Sequence, residues 1–127
     1  VQERAAECIG VLGRHSPQAV APAVPSPIRG LKSNSSELRK ASATALGRIG
    51  NRDALVVIQA VPHLAKALEN DDWYIHVEVL KALCYIGANK PALVKPHLAI
   101  IRSRTTRAAD RNITQTAKWT LRKVGGS

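Results

Sequence analysis

The sequence predicts an all-α solenoid, and three observations predict it. A unit of 37 to 38 residues recurs, marked by Gly13, Gly50, Gly87 and Gly125. Apolar residues recur in register with those glycines: Leu12, Ile49, Ile86 and Val124 stand one before, and Ile9, Leu46, Leu83 and Leu121 four before. Twelve before stand Val1, Leu38, Ile75 and Ile113. A self-similar unit of this length buries its apolar face against its neighbours, because one unit alone has nothing to bury it against. The third observation is the palette: 45% of the residues are hydrophobic, with no Phe and no Met. Ala, Val, Leu and Ile suit closely spaced helices, since Ala lets backbones approach and Leu fills the gaps.

Each unit divides into two helical segments, A then B. Segment B ends at the glycine and places apolar or small residues at offsets −12, −8, −5, −4 and −1. In the third unit these are Ile75, Val79, Ala82, Leu83 and Ile86. Their spacing puts them on one stripe of a 3.6-residue helix. Ser35, Asp72 and Asp110, at offset −15, are good N-cap residues, and the glycines stand where a left-handed C-cap is expected. Segment A reads VPSPIRGL at 24–31, VPHLAKAL at 61–68 and KPHLAIIR at 95–102. Pro25, Pro62 and Pro96 fall near its start, where a missing N–H costs little. Pro27 is an extra proline that delays or kinks the second unit's segment. The expected helices are 2–13, 24–33, 36–49, 60–69, 73–86, 92–102 and 110–124, with segment A of the third unit able to start earlier, within 51–59. The 127 residues then form a single repeat domain. Residues 1–13 are a partial unit, 14–50, 51–87 and 88–125 are full ones, and the whole reads as part of a longer array.

The stretches AVPHLAKALENDDWYIHVEVLKALCYIG (60–87) and LRKASATALGRIG (38–50) resemble HEAT repeats, in particular the short HEAT-like repeats first noted in phycobilisome lyases. The resemblance covers nearly the whole chain. It implies a right-handed α–α superhelix of about three and a half helical hairpins. The Trp–Leu–Gly–Tyr signature of tetratricopeptide repeats is absent, while armadillo repeats are near relatives with a third short helix per unit. The family usually carries Arg directly after the first apolar residue of segment B. Arg39 matches, whereas Gln2, His76 and Thr114 depart. What the resemblance implies about function is a scaffold that presents the B helices to a protein, with nucleic-acid binders a minority and enzymes rare.

The residues themselves carry no catalytic pattern. His15, His63, His76 and His97 form neither an HxxxH pair nor an HExxH, and no His is followed by Glu, as the HEAT-type di-iron hydroxylases require. No GxSxG, GxxxxGK[ST] or GxGxxG occurs. The aspartates fall in turns or at N-caps, so no acid is placed as a HEAT-like DNA glycosylase needs it. The expectation is a non-enzyme with no cofactor and no metal. Cys8 and Cys84 lie too far apart in the array for a disulfide and read as small buried hydrophobes of a reducing, cytoplasmic compartment. No apolar run approaches a membrane span, and no signal-peptide pattern opens the chain.

Charge is the strongest hint of a partner. Of the formal +10, residues 90–127 carry nine Lys and Arg against Asp110 alone. Such an end attracts an acidic protein, nucleic acid or an anionic surface, or else is a solvated face. Trp119 occupies a position held by Glu7, Thr44 and Lys81 in the other units, with Lys118, Arg122 and Lys123 around it. Trp is enriched at binding hot spots and also stacks on bases. The candidate binding residues are therefore Arg107, Arg111, Lys118, Trp119, Arg122 and Lys123. The reading is a non-catalytic scaffold for another protein, with an acidic protein among the candidates. Its competitors are a nucleic-acid-binding module using the basic C-terminal repeat and, more remotely, a HEAT-like DNA-repair enzyme. A continuous positive stripe on the B helices favours nucleic acid, and an apolar groove with a basic rim favours protein.

Overall fold

The chain was analysed as a computed structural model that describes residues 2–69, 73–97 and 99–101. Every element among the described residues is helical. In chain order they are α1 (Gln2–His15), α2 (Pro17–Val20), α3 (Pro25–Gly30), α4 (Ser36–Arg52), α5 (Val61–Ala67), α6 (Trp73–Asn89) and α7 (Pro91–Val94). Tight 3-10 turns run over Ala21–Ala23, Ala54–Ala60 and Lys95–His97. The B segments are α1, α4 and α6, and α4 packs against α1 on one side and α6 on the other. The A segments form a second layer, with α3 on α4, α5 on α6 and α7 on α6.

The expected stripe is the core. Ile75, Val79, Ala82, Leu83 and Ile86 are all buried, as are Ser42, Ala45, Leu46 and Ile49 of the preceding unit. Ser35 caps α4 as its position predicts, its hydroxyl accepting from the amide of Leu38 at 3.2 Å. Arg39, the residue that carries the family pattern, turns back onto the A–B connection. Its guanidinium donates to the carbonyl of Ser33 at 2.6 Å and to the hydroxyl of Ser36 at 3.0 Å.

Among the described residues the register glycines do not cap the helices, and Gly125 lies outside those residues. Gly13, Gly50 and Gly87 lie inside α1, α4 and α6, which continue for two residues beyond each of them, to His15, Arg52 and Asn89. What they provide is room. A Cβ on Gly50 would stand 2.5 Å from Cγ1 of Ile86 and 3.1 Å from Val57, and Gly13 meets Ile49 and Val20 in the same way. One turn earlier a Cβ on Gly10 would lie 3.0 Å from the Cα of Ala45, and one on Gly47 would lie 3.1 Å from that of Ala82. α1 and α4 thus each offer two notches three residues apart, and the next B helix inserts an alanine and an isoleucine four apart. The pairing order makes the three helices run side by side in the same direction.

Each of these helices ends instead on a non-helical residue. The amides of Ser16, Asp53 and Lys90 donate to the carbonyls of Leu12, Ile49 and Ile86 at 2.7, 2.8 and 2.8 Å. All three residues leave the helical region, with φ of −142°, −152° and −137° and ψ of 78°, 102° and 87°, and segment A begins on the next residue. Pro17 and Pro91 occupy the first helical position there, where the lost N–H has no partner in any case. Segment A therefore starts eight residues before Pro25 and Pro62, and five before Pro96. Those prolines, with Pro22, break it into short pieces. Val20, Val57 and Val94, equivalent across the units, anchor its first turn in the core.

Two further expectations change. Cys84 is buried but Cys8 is exposed, so Cys8 is not a core hydrophobe in these residues. Leu12 is 59% exposed whereas its equivalents Ile49 and Ile86 are 0% exposed, because α1 has no earlier notch among the described residues to enter. Covered on one flank, α1 should show the fastest amide exchange of the three B helices. Equal slow protection over 4–12 and 75–87 would contradict that packing.

Candidate functional site

Where three helices run parallel at close spacing, the side chains flanking each contact row line grooves. One groove of about 450 Å³ is open to solvent and lined solely by α1, α4 and α6. A second, of about 460 Å³, continues it between α1 and α4. Among the described residues none of the A layer lines either groove, so this is the face that the described B helices leave uncovered. The floor of the first groove is Ala43, Gly47 and Ala82, the small residues that close helix approach requires. Its rim carries Arg14, Lys40, Arg48 and Lys81 against one acid, Glu78. Tyr85, half-buried, adds an aromatic ring with a polar end.

Each rim side chain is placed by the register. Arg48 follows Gly47 and precedes Ile49, so it leaves the helix at the edge of the contact row. Its Cδ is 3.4 Å from where a Cβ of Gly10 would be, and the aliphatic stem thus lies over that glycine while the guanidinium reaches the groove. Arg14 is in the last turn of α1, and neither it nor Arg48 has a hydrogen-bond or ion-pair partner among the described residues. Lys81 lies 3.9 Å from Glu78, a long and partly exposed i,i+3 pair. Such a pair contributes about 0–1 kcal/mol. The Thr44 hydroxyl is 2.9 Å from both a carboxylate oxygen of Glu78 and the carbonyl of Lys40, with one proton to share between them. Glu78 is thus held across the α4–α6 contact. In the second groove Glu7 and Glu37 face Lys40 and Arg48, so the positive rim gives way to a mixed one.

Arg107, Arg111, Lys118, Trp119, Arg122 and Lys123, the candidates from the sequence, all lie outside the described residues. Asp72 and Asp110, expected as N-caps, do so too. The cations on the groove were missed because no single offset of the repeat is basic: Arg14, Arg48 and Lys81 hold three different offsets. Residues 1–89 also sum to a small net charge, which hides that their acids and bases face different ways. Among the described residues no three His, Cys, Asp or Glu converge as a metal site would require, and no helix is long and apolar enough to cross a membrane.

Tandem helical hairpins, stacked through notches that repeat every 37 residues, define a helical-repeat module. Residues 38–70, which span α4, the following 3-10 turn and α5, match the family described as PBS lyase HEAT-like repeat. The chain is similar to that family over these residues. No curated protein and no solved structure matches it.

Proposed function

We propose that the chain is a non-catalytic binding module that holds another protein along the face formed by α1, α4 and α6. The observation that carries this reading is the groove with a floor of Ala43, Gly47 and Ala82 and a cationic rim, filled by no part of the described chain. A floor of small residues accepts the apolar side chains of a partner segment. The rim supplies charge that fixes its register. The HEAT-like match supports the reading, since such repeats commonly mediate protein interaction. A cytoplasmic setting goes with it.

The second reading is a nucleic-acid-binding module, favoured by the nine Lys and Arg of residues 90–127. Arg107, Arg111, Lys118, Arg122 and Lys123 would hold phosphates, and Trp119 would stack on a base. Titrating polyglutamate, duplex DNA and single-stranded DNA at several salt concentrations separates the two. Protein binding predicts that polyglutamate competes effectively and that neither nucleic acid is preferred at about 50 mM salt. Phosphate contacts instead give a log–log salt slope near −0.9 per contact, made shallower by up to about 3 when Lys118, Arg122 and Lys123 are all replaced. Preferential DNA binding with that change of slope would overturn the protein-binding reading.

A further inference from the structure

We infer that the groove between α1, α4 and α6 is a carboxylate-binding site for an acidic segment of a partner protein, with Arg14, Arg48 and Lys81 as its cations and Glu78 as a resident carboxylate that lowers its affinity. This rests on the protein-binding reading of the same face. Its warrant is charge complementarity within a bounded groove. Arg14 and Arg48 come from neighbouring helices and have no acid partner among the described residues, and the stem of Arg48 lies over Gly10, its Cδ 3.4 Å from where a Cβ would stand. A guanidinium so positioned loses little rotamer freedom when it takes a carboxylate bidentately. Lys81 has only Glu78, at 3.9 Å.

Glu78 shows how the groove treats a carboxylate. It is mostly buried, its side chain 17% exposed, and it sits between the Thr44 hydroxyl and the Lys81 ammonium. A second carboxylate entering beside it gains the cations but meets its charge. The same acid decides the class of partner. A nucleic-acid strand brings a phosphate at every step and would run past Glu78 to Glu7 and Glu37, which lie along the continuous groove. A peptide can bring one or two acids to Arg14 and Arg48 and place methyl groups on Ala43, Gly47 and Ala82. The groove is built for isolated negative charges on an otherwise small, apolar-accepting floor.

The test uses the whole chain, a fluorescent peptide alternating Glu with Ala, and a duplex DNA of matched charge, at about 50 mM salt. Replacing Arg48 or Lys81 with Ser should weaken peptide binding about fivefold each, and Arg14, Arg48 and Lys81 together more than tenfold. Glu78→Gln, which keeps the shape and the oxygen facing Thr44, should strengthen it about two- to fivefold. Arg29→Ser and Arg52→Ser, exposed arginines that line neither groove, should leave it unchanged. Melting curves of every variant establish that the fold is kept, and the gain expected from Glu78→Gln cannot come from unfolding. A triple variant that binds the peptide as its parent does would overturn the groove assignment while leaving a protein-binding surface elsewhere on the chain. Weaker binding by Glu78→Gln, no binding of the peptide by the parent, or an equal loss of DNA affinity in the triple variant would each overturn the inference. Only DNA preference would also overturn the wider reading.

Discussion

Replacing Leu46 or Leu83 with alanine should each destabilise the chain by about 2–5 kcal/mol, from lost transfer free energy and from the cavity left behind. Both side chains are 0% exposed and stand at the same position of successive units, in two helices that pack against each other. The surroundings cannot collapse onto the gap, because the backbones already touch at Gly10 and Ala45 and at Gly47 and Ala82. Ile9, the equivalent in α1, is only half-buried and packs on the edge of the core, so Ile9→Ala should cost clearly less. Denaturant unfolding of the three variants reads this gradient directly. Losses below half a kilocalorie at both Leu46 and Leu83 would show that the repeat register is wrong.

Gly50→Ala is the second large effect, and its sign separates two roles for the glycine. In an open helix interior alanine is favoured over glycine by about 1 kcal/mol. Here the new methyl would sit 2.5 Å from Ile86 Cγ1, an atom near the backbone that cannot swing away without moving α6. Overpacking of this kind costs typically about 1–3 kcal/mol, which offsets the gain from alanine and leaves a net loss of up to about 2 kcal/mol. The loss should shrink when Ile86 is also replaced by Ala, giving a coupling of at least about 0.5 kcal/mol in a double-mutant cycle. A helix cap would show no such coupling. An additive cycle, or a stabilised Gly50→Ala protein, would rule out the notch.

Legibility in the sequence followed the physics of each feature. The B helices and their buried stripe could be read because burial repeats with the helical period and again with the unit. Ser35 could be read as a cap because a cap acts within one turn of chain. Segment A was harder. The Ser16–Pro17 and Lys90–Pro91 pairs, and Asp53 in register with them, are start signals 37 residues apart. They were obscured by the later prolines Pro25, Pro62 and Pro96, which look like starts themselves. The glycines misled for a different reason. Gly after an apolar run has two uses, a left-handed cap or a close contact, and the choice depends on what lies opposite.

The binding face shows the same division. By itself the sequence determined the helical repeat, the residues that fill its interior and the surplus of positive charge, since these depend on composition and on spacing along one chain. Tertiary structure alone decided that Gly13 and Gly50 receive isoleucines, that Leu12 is left bare, and that Arg14, Arg48 and Lys81 meet around one groove. Those facts depend on which helix lies beside which and at what offset. The side-by-side stacking brings together positions that differ in offset from unit to unit, and a repeat alignment, which compares equal offsets, keeps such positions apart.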